Sequence, residues 1–180
     1  TVLGKDWSKN NEKIVTEVKK EIQEKQEKKA EEKIIEETNL ELAQKVNEIL
    51  PNIKHDDLTI YHLITHTSCY PPGVRGVTKM KTKEEVLNAI ENTLLTEIPG
   101  TKIIYSDINF ILLGLIVEKI TNKGLDQFAK EVLFDPVEMN NTCFNPIDKS
   151  RCVPTEVRND DLFQGIVQGF VHDETSYLLG

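Results

Sequence analysis

Tyr105-Ser106-Asp107 stands directly ahead of the apolar run Ile108 to Ile120. A Tyr just before the N-terminus of a buried helix faces unpaired backbone N–H groups and the positive end of the helix dipole, a setting that suits its phenol oxygen as a general base. The plainer reading is a Tyr packing at a helix start, with Asp107 as the N-cap. His62 and His66 are four residues apart and Cys69 follows three further on, a spacing that could ligate zinc. No fourth ligand stands nearby and H-E-x-x-H is absent, so the alternative is that His66 packs and hydrogen-bonds at a helix end. His172 precedes Asp173 and Glu174, a His–carboxylate neighbourhood that is also common in ordinary loops. G-x-S-x-G, G-x-x-x-x-G-K-[ST] and G-x-G-x-x-G are all missing, which removes the nucleophile elbow and the two common phosphate-cradling loops. The residues point to no cofactor and no metal.

Helices must position these groups. Thr59 can cap a short helix through Ile60, Leu63 and Ile64, and Pro71-Pro72-Gly73 marks a loop. Thr82 with Glu85 forms a capping box ahead of Val86, Leu87, Ile90 and Leu94. Pro99-Gly100 turns the chain, and Asp107 can cap a helix over Ile108 to Ile120, apolar on nearly all sides and therefore central to a core. Asn122-Lys123-Gly124 ends it. An amphipathic helix carrying Leu125, Phe128, Val132 and Leu133 then runs to Asp135-Pro136, and the remainder, with Gly165 and Gly169, reads as loop plus short strands.

Composition changes sharply near residue 34. Asn10 to Lys33 is dominated by Lys, Glu and Gln; Ile14, Val18 and Ile22 recur every four residues, and Glu21/Lys25 and Glu24/Lys28 stand at the spacing that pairs charges on a helix face. This predicts a long, mostly solvated helix that lacks the heptad seam of a coiled coil. From Ile34, with Ile35, Leu40, Leu42, Val46, Ile49 and Leu50 ahead of Pro51, the chain has the pattern of a compact domain. The division is residues 1–33 as a charged helical extension and 34–180 as the domain.

The 180 residues hold 30 acidic against 22 basic side chains, a formal charge of −8, so an electrostatic grip on nucleic acid or anionic lipid is not expected. The longest apolar stretch is too short for a membrane-spanning helix, which needs about 20 residues. The first residues carry no signal-peptide pattern, and the missing initial Met suggests that the sequence begins inside a longer parent. Cys69, Cys143 and Cys152 are too few for a disulfide framework; free thiols and a Cys143–Cys152 bridge both remain open.

Pro99 to Asp107 followed by Ile108-Asn109-Phe110-Ile111-Leu112-Leu113-Gly114 resembles the P-G-x-x-x-x-Y-S-[ND]-x-x-[FY]-x-L-L-G signature of the serine β-lactamase-like family, which takes in class C β-lactamases, penicillin-binding D-Ala-D-Ala carboxypeptidases and esterases. Leu58 to Ser68 resembles the family's I-T-I-R-H-L-L-T-H-T-S-G segment, with Cys69 in place of the Gly. Ile34 to Pro51 is similar to its L-V-E-E-G-K-L run, Leu133 to Thr142 to F-x-P-L-G-M-x-x-T, and Pro154-Thr155-Glu156 with Gly169 to Glu174 to the P-T-E … G-x-V-H-D-E of one carboxypeptidase/esterase-like branch. The match is collinear over roughly residues 34 to 180.

The resemblance implies a mainly α chain: the helical region of the β-lactamase/transpeptidase-like α+β fold, with most of the flanking antiparallel sheet missing. It implies Tyr105 as the general base and Asp107 as the third position of the Y-x-N/Y-x-D motif. Family members acylate the Ser of an S-x-x-K motif and hold the substrate carboxylate with K-T-G or H-x-G; neither motif occurs in these 180 residues. The expectation is therefore an incomplete serine-hydrolase site, inactive alone, with a second chain as one source of the missing Ser and Lys. The charged segment 1–33 is read as a divergent or engineered replacement for the family's catalytic helix. The rival reading is a non-catalytic module that binds a peptide or cell-wall fragment, and a third is an engineered fragment kept for its fold. Family members are often periplasmic or extracellular, which leaves the compartment open here.

Overall fold

In the computed structural model, the described residues are 41–180 together with positions 16–18, 20, 21 and 25, which are helical. The long helix over 10–33, its relation to the rest and the apolar run from Ile34 to Leu40 otherwise lie outside the described residues. The chain divides into two compact units, Leu40–Leu125 with Cys143–Gly180, and Thr1–Asn39 with Asp126–Thr142.

In the larger unit α1 (Val46–Ile49) and α2 (Ile60–Ile64) are tied at their starts, where Val46 N–H donates to Leu58 O at 2.9 Å and Ile60 N–H to Gln44 O at 3.0 Å. Thr59 caps α2 as expected, its hydroxyl accepting from His62 N–H, while Thr59 N–H donates to His62 Nδ1 at 3.2 Å. The same reciprocal box, Thr82 with Glu85, starts α3 (Lys83–Glu91). That helix stops at Asn92, earlier than the apolar pattern suggested, and Leu94 beyond it is exposed.

The centre is α4 (Asp107–Thr121), whose Ile108, Leu112 and Ile116, four residues apart, are fully buried against α1 and α2 with Val46, Leu58, Leu63, Val86 and Ile90. Each such side chain contributes about 1.5–3 kcal/mol on leaving water, so this stripe is a large contributor to the stability of the core. The expected cap is corrected. Ser106, not Asp107, is the N-cap, and its hydroxyl donates to Pro71 O at 2.6 Å instead of capping, so Asp107 becomes the first helical residue. Asn122, at φ 53°, ends the helix in the left-handed conformation.

The expected helix to Leu133 is also corrected: α5 covers only Leu125–Ala129, and Lys130–Phe134 winds as a π-turn that keeps Phe128 and Val132 buried. Beyond it, β1 (Pro154–Asn159) and β2 (Gln164–Gln168) pair antiparallel with a bulge at Pro154/Glu156. A short helix, α6 (Glu174–Leu179), follows where the residue pattern predicts loop and short strands. Arg158 fastens it, bonding Asp160 Oδ2 and Glu174 Oε1 at 2.5 Å each and His172 O at 2.6 Å while lying over the Phe163 ring. The N–H groups of Phe163 and Leu162, and then Arg158, hold the Asp160 carboxyl below the usual carboxylate range. Gly169, at φ 68°, lets Lys149 lie against its backbone; a Cβ there would meet Lys149 Cβ at 2.8 Å. All three cysteines are free thiols, so the Cys143–Cys152 bridge is not formed. Among the described residues no helix is long and apolar enough to cross a membrane.

Tyr70 is fully buried, and its hydroxyl has no hydrogen-bond partner among the described residues, with burial pushing its ionisation above the usual phenol range. A buried donor without a partner costs about 1–3 kcal/mol, which a hydrogen in its place avoids. Tyr70→Phe is therefore expected to raise stability by about 1 kcal/mol in urea unfolding. A loss of similar size would show that the hydroxyl is in fact paired.

Candidate functional site

Two loops laced together present the candidate residues. The segment after α2 and the segment before α4 run side by side: Gly100 N–H donates to Thr67 O at 2.7 Å, Thr96 N–H to Cys69 O at 2.9 Å, Ile104 N–H to His66 O at 2.9 Å and Asp107 N–H to Pro72 O at 2.9 Å. Gly100, at φ 87°, makes a reversal within this pairing, a conformation open to glycine at no steric cost. Glu97 and Lys102 form an ion pair across the same loop, and Glu97 raises the Lys102 ammonium above its ordinary range. With its backbone bonded on both sides, the loop delivers Tyr105 and Asp107 at a fixed place on the end of α4.

Tyr105 is 74 % exposed. Its ring lies on that of His66, centroids 4.7 Å apart and planes tilted by 36°, and His66 touches Phe110 at 5.2 Å on the first turn of α4. The Tyr105 hydroxyl and the exposed Asp107 carboxylate make no hydrogen bond among the described residues. Both polar groups thus face outward from one helix end, open to a proton donor or a substrate amide brought to them. An apolar cleft of about 220 Å³ lies elsewhere, lined by Ile49, Leu50, Leu87, Ile90, Leu112 and Leu115 among others, and includes neither residue.

Beneath the loop runs a buried polar chain. Tyr70 N–H donates to Ser68 Oγ at 3.2 Å, Ser68 Oγ–H to Asn109 Oδ1 at 2.6 Å, and Asn109 Nδ2 bonds His66 Nδ1 at 3.0 Å. Ser68, Ser106 and Asn109 are all fully buried. Neither serine is a free nucleophile, because the Ser68 proton goes to Asn109 and the Ser106 proton to Pro71 O. Sequence reasoning passed over Asn109 and the role of Ser68. The available signal was Asn109 itself, an amide in the first turn of an otherwise apolar helix, which must find partners when buried.

The three residues with zinc spacing go different ways. His62 Nδ1 serves the cap at Thr59, His66 Nδ1 meets Asn109, and the buried Cys69 Sγ faces carbonyl oxygens, with Ile98 O at 3.3 Å. No group of three metal-ligating side chains is assembled among the described residues. His172 enters the hairpin through its carbonyl oxygen, which accepts from Arg158.

Comparison with known proteins gives this geometry its context. A protein-family model described as Beta-lactamase matches residues 30–162, well over half of the chain. A putative D-alanyl-D-alanine carboxypeptidase of Escherichia coli K12 is 31 % identical over 141 residues, covering 67 % of this chain and 32 % of that protein. An N-acetylmuramyl-L-alanine amidase of Bacillus subtilis is 28 % identical over 174 residues, covering 81 % and 40 %. Among solved structures, a β-lactamase/D-alanine carboxypeptidase from Pseudomonas syringae matches with TM-score 0.53 at 25 % identity over 62 % of this chain and 32 % of that one. An octameric penicillin-binding protein homologue from Pyrococcus abyssi, at TM-score 0.57 and 20 % identity, matches in fold over 82 % of this chain and 37 % of its own. The chain spans between about a third and two-fifths of the length of these curated relatives.

Proposed function

The chain belongs to the β-lactamase family, and from that premise we propose that it carries the general-base half of a serine-hydrolase site of the D-Ala-D-Ala carboxypeptidase or esterase type. The observation that carries this reading is the Tyr105 phenol on the end of α4, fixed in place by its backbone and with its oxygen free of any hydrogen bond among the described residues. A general base needs an oxygen that is positioned and not already engaged. Tyr105 takes the proton from an attacking serine and returns it to the leaving group. Asp107 accepts from the substrate amide or from a lysine ammonium. The serine and lysine come from residues outside these 180, on the same polypeptide or another, and the substrate class is a cell-wall-type peptide or ester.

The absence of S-x-x-K from the 180 residues favours a second reading, a module that binds such a fragment without turning it over. One experiment separates the two: co-production of this chain with the portion of the E. coli relative that it does not cover, followed by a fluorescent penicillin. Covalent labelling that depends on both parts supports the hydrolase. Saturable, reversible binding by this chain alone, unchanged by the added part, supports the binding module.

A further inference from the structure

His66 stands in an unusual place for a non-glycine residue. Its φ is 55°, in the left-handed region, which an L-residue occupies at a cost and keeps only where the surroundings impose it. Here they do. His66 N–H donates to Leu63 O at 3.2 Å and His66 O accepts from Ile104 N–H at 2.9 Å, so the backbone is pinned to the end of α2 on one side and to the Tyr105 loop on the other. The ring is pinned as well. Nδ1 meets Asn109 Nδ2 at 3.0 Å and Ser106 N–H at 3.3 Å. Both of these nitrogens can only donate, so Nδ1 is the acceptor and the ring proton sits on Nε2. The Asn109 amide is oriented in turn: Ser106 N–H already makes Nδ1 an acceptor, so Nδ2 faces the ring and Oδ1 takes the Ser68 hydroxyl proton, while Ser68 Oγ accepts from Tyr70 N–H. An imidazole whose plane and tautomer are both determined lies against the Tyr105 ring at 4.7 Å.

We propose that His66 is the positioning residue for Tyr105: the imidazole, protonated on Nε2 and oriented by the Tyr70–Ser68–Asn109 hydrogen-bond chain, is the seat that holds the phenol over the end of α4. This rests on the reading of Tyr105 as the general base. A phenol that is 74 % exposed has few other contacts to restrict its χ angles, and a base that samples several rotamers spends only a fraction of its time in reach of a proton. The backbone strain at His66, the buried chain and the ring contact are three constraints converging on one side chain, and the imidazole plane is what they jointly determine.

The test uses the 180-residue chain and needs no turnover. Two-bond ¹H–¹⁵N correlation spectra of the wild type are expected to show His66 with the proton on Nε2; a proton on Nδ1 overturns the proposal before any variant is made. Tyr105 is then acetylated with N-acetylimidazole and followed by peptide mass mapping, with the exposed Tyr61 and Tyr177 as internal references. His66→Gln is expected to raise the Tyr105 rate relative to Tyr61 by about fivefold, the size of change that loss of one aromatic contact corresponds to, and His66→Phe, which restores a ring, to return it toward wild type. Asn109→Asp keeps the acceptor for Ser68 but sets a carboxylate against His66 Nδ1, and is expected to draw a proton onto Nδ1 with loss of the 3.3 Å donation from Ser106 N–H. An unchanged Tyr105 rate in a folded His66→Gln chain overturns the proposal, and so does equal acceleration by His66→Phe and His66→Gln. Should His66→Gln not fold, the wild-type and Asn109→Asp tautomers decide. A failure here leaves Tyr105 free to be the base in the complemented enzyme, while a failure of labelling there leaves the tautomer and acetylation results intact.

Discussion

On the proposed reading, with the serine and lysine supplied to the site, Tyr105→Phe is expected to lower kcat by about 10²–10⁴-fold, the usual contribution of a positioned general base. KM is expected to change little, because the lost oxygen acts on the transferring proton and not on the bound ground state. Tyr105 is largely exposed and its hydroxyl has no partner among the described residues, so the substitution is expected to leave the unfolding midpoint where it was. Steady-state hydrolysis of a nitrophenyl ester measures the rate, and a drop of less than tenfold would remove Tyr105 from the mechanism. The 180-residue chain on its own is expected to show no stoichiometric mass adduct with a penicillin or a fluorophosphonate. Its best-placed serines, Ser68 and Ser106, are buried and spend their protons on Asn109 and Pro71 O, and loss of a serine nucleophile costs about six orders of magnitude in rate. A one-to-one adduct on either serine would overturn the assignment of the nucleophile to another segment.

Asn109→Ala is expected to destabilise the chain by about 2–4 kcal/mol. The amide serves the Ser68 hydroxyl and the His66 ring at once, in a position with no solvent access. Its removal leaves one buried donor and one ring acceptor with fewer partners, and adds a cavity between Ser68 and His66. Substitution on an exposed face of α4 changes stability by no more than about 0.5 kcal/mol, so the two classes are well separated in a urea titration. A loss below about 1 kcal/mol would show that the polar chain contributes little to the fold. It would also weaken its claim to orient His66.

What could be read from residue order was whatever local rules decide. Thr59 and Thr82 start helices because their hydroxyls reach N–H groups three residues on, and Asn122 ends one because an Asn tolerates left-handed backbone. Tyr105 before a buried helix was legible for the same reason. The errors fall where a distant partner overrides the local rule. Ser106 became the cap in backbone only, since Pro71 O, 35 residues away, claimed its hydroxyl. The turn over Lys130–Phe134 winds wider than the apolar spacing at Phe128, Val132 and Leu133 suggests. Helix α6 is held by Arg158, 16 residues upstream, and six residues offer too short a pattern to declare themselves. The His66–Asn109–Ser68 chain joins positions more than 40 residues apart, and only the tertiary fold brings them together.

The three thiols form a graded set. Cys143 is exposed, Cys152 half-buried, and Cys69 wholly enclosed with its sulfur against Ile98 O, on a backbone at φ 63° that closes only when both loops are in place. An alkylating reagent added to the folded chain should modify Cys143 at once and Cys69 only when the pairing between residues 66–72 and 96–107 opens. Read by mass against time, the third label, on Cys69 after Cys143 and Cys152, becomes a clock for the opening of the Tyr105 frame. At high reagent concentration it gives the opening rate, and at low concentration the population of the open form.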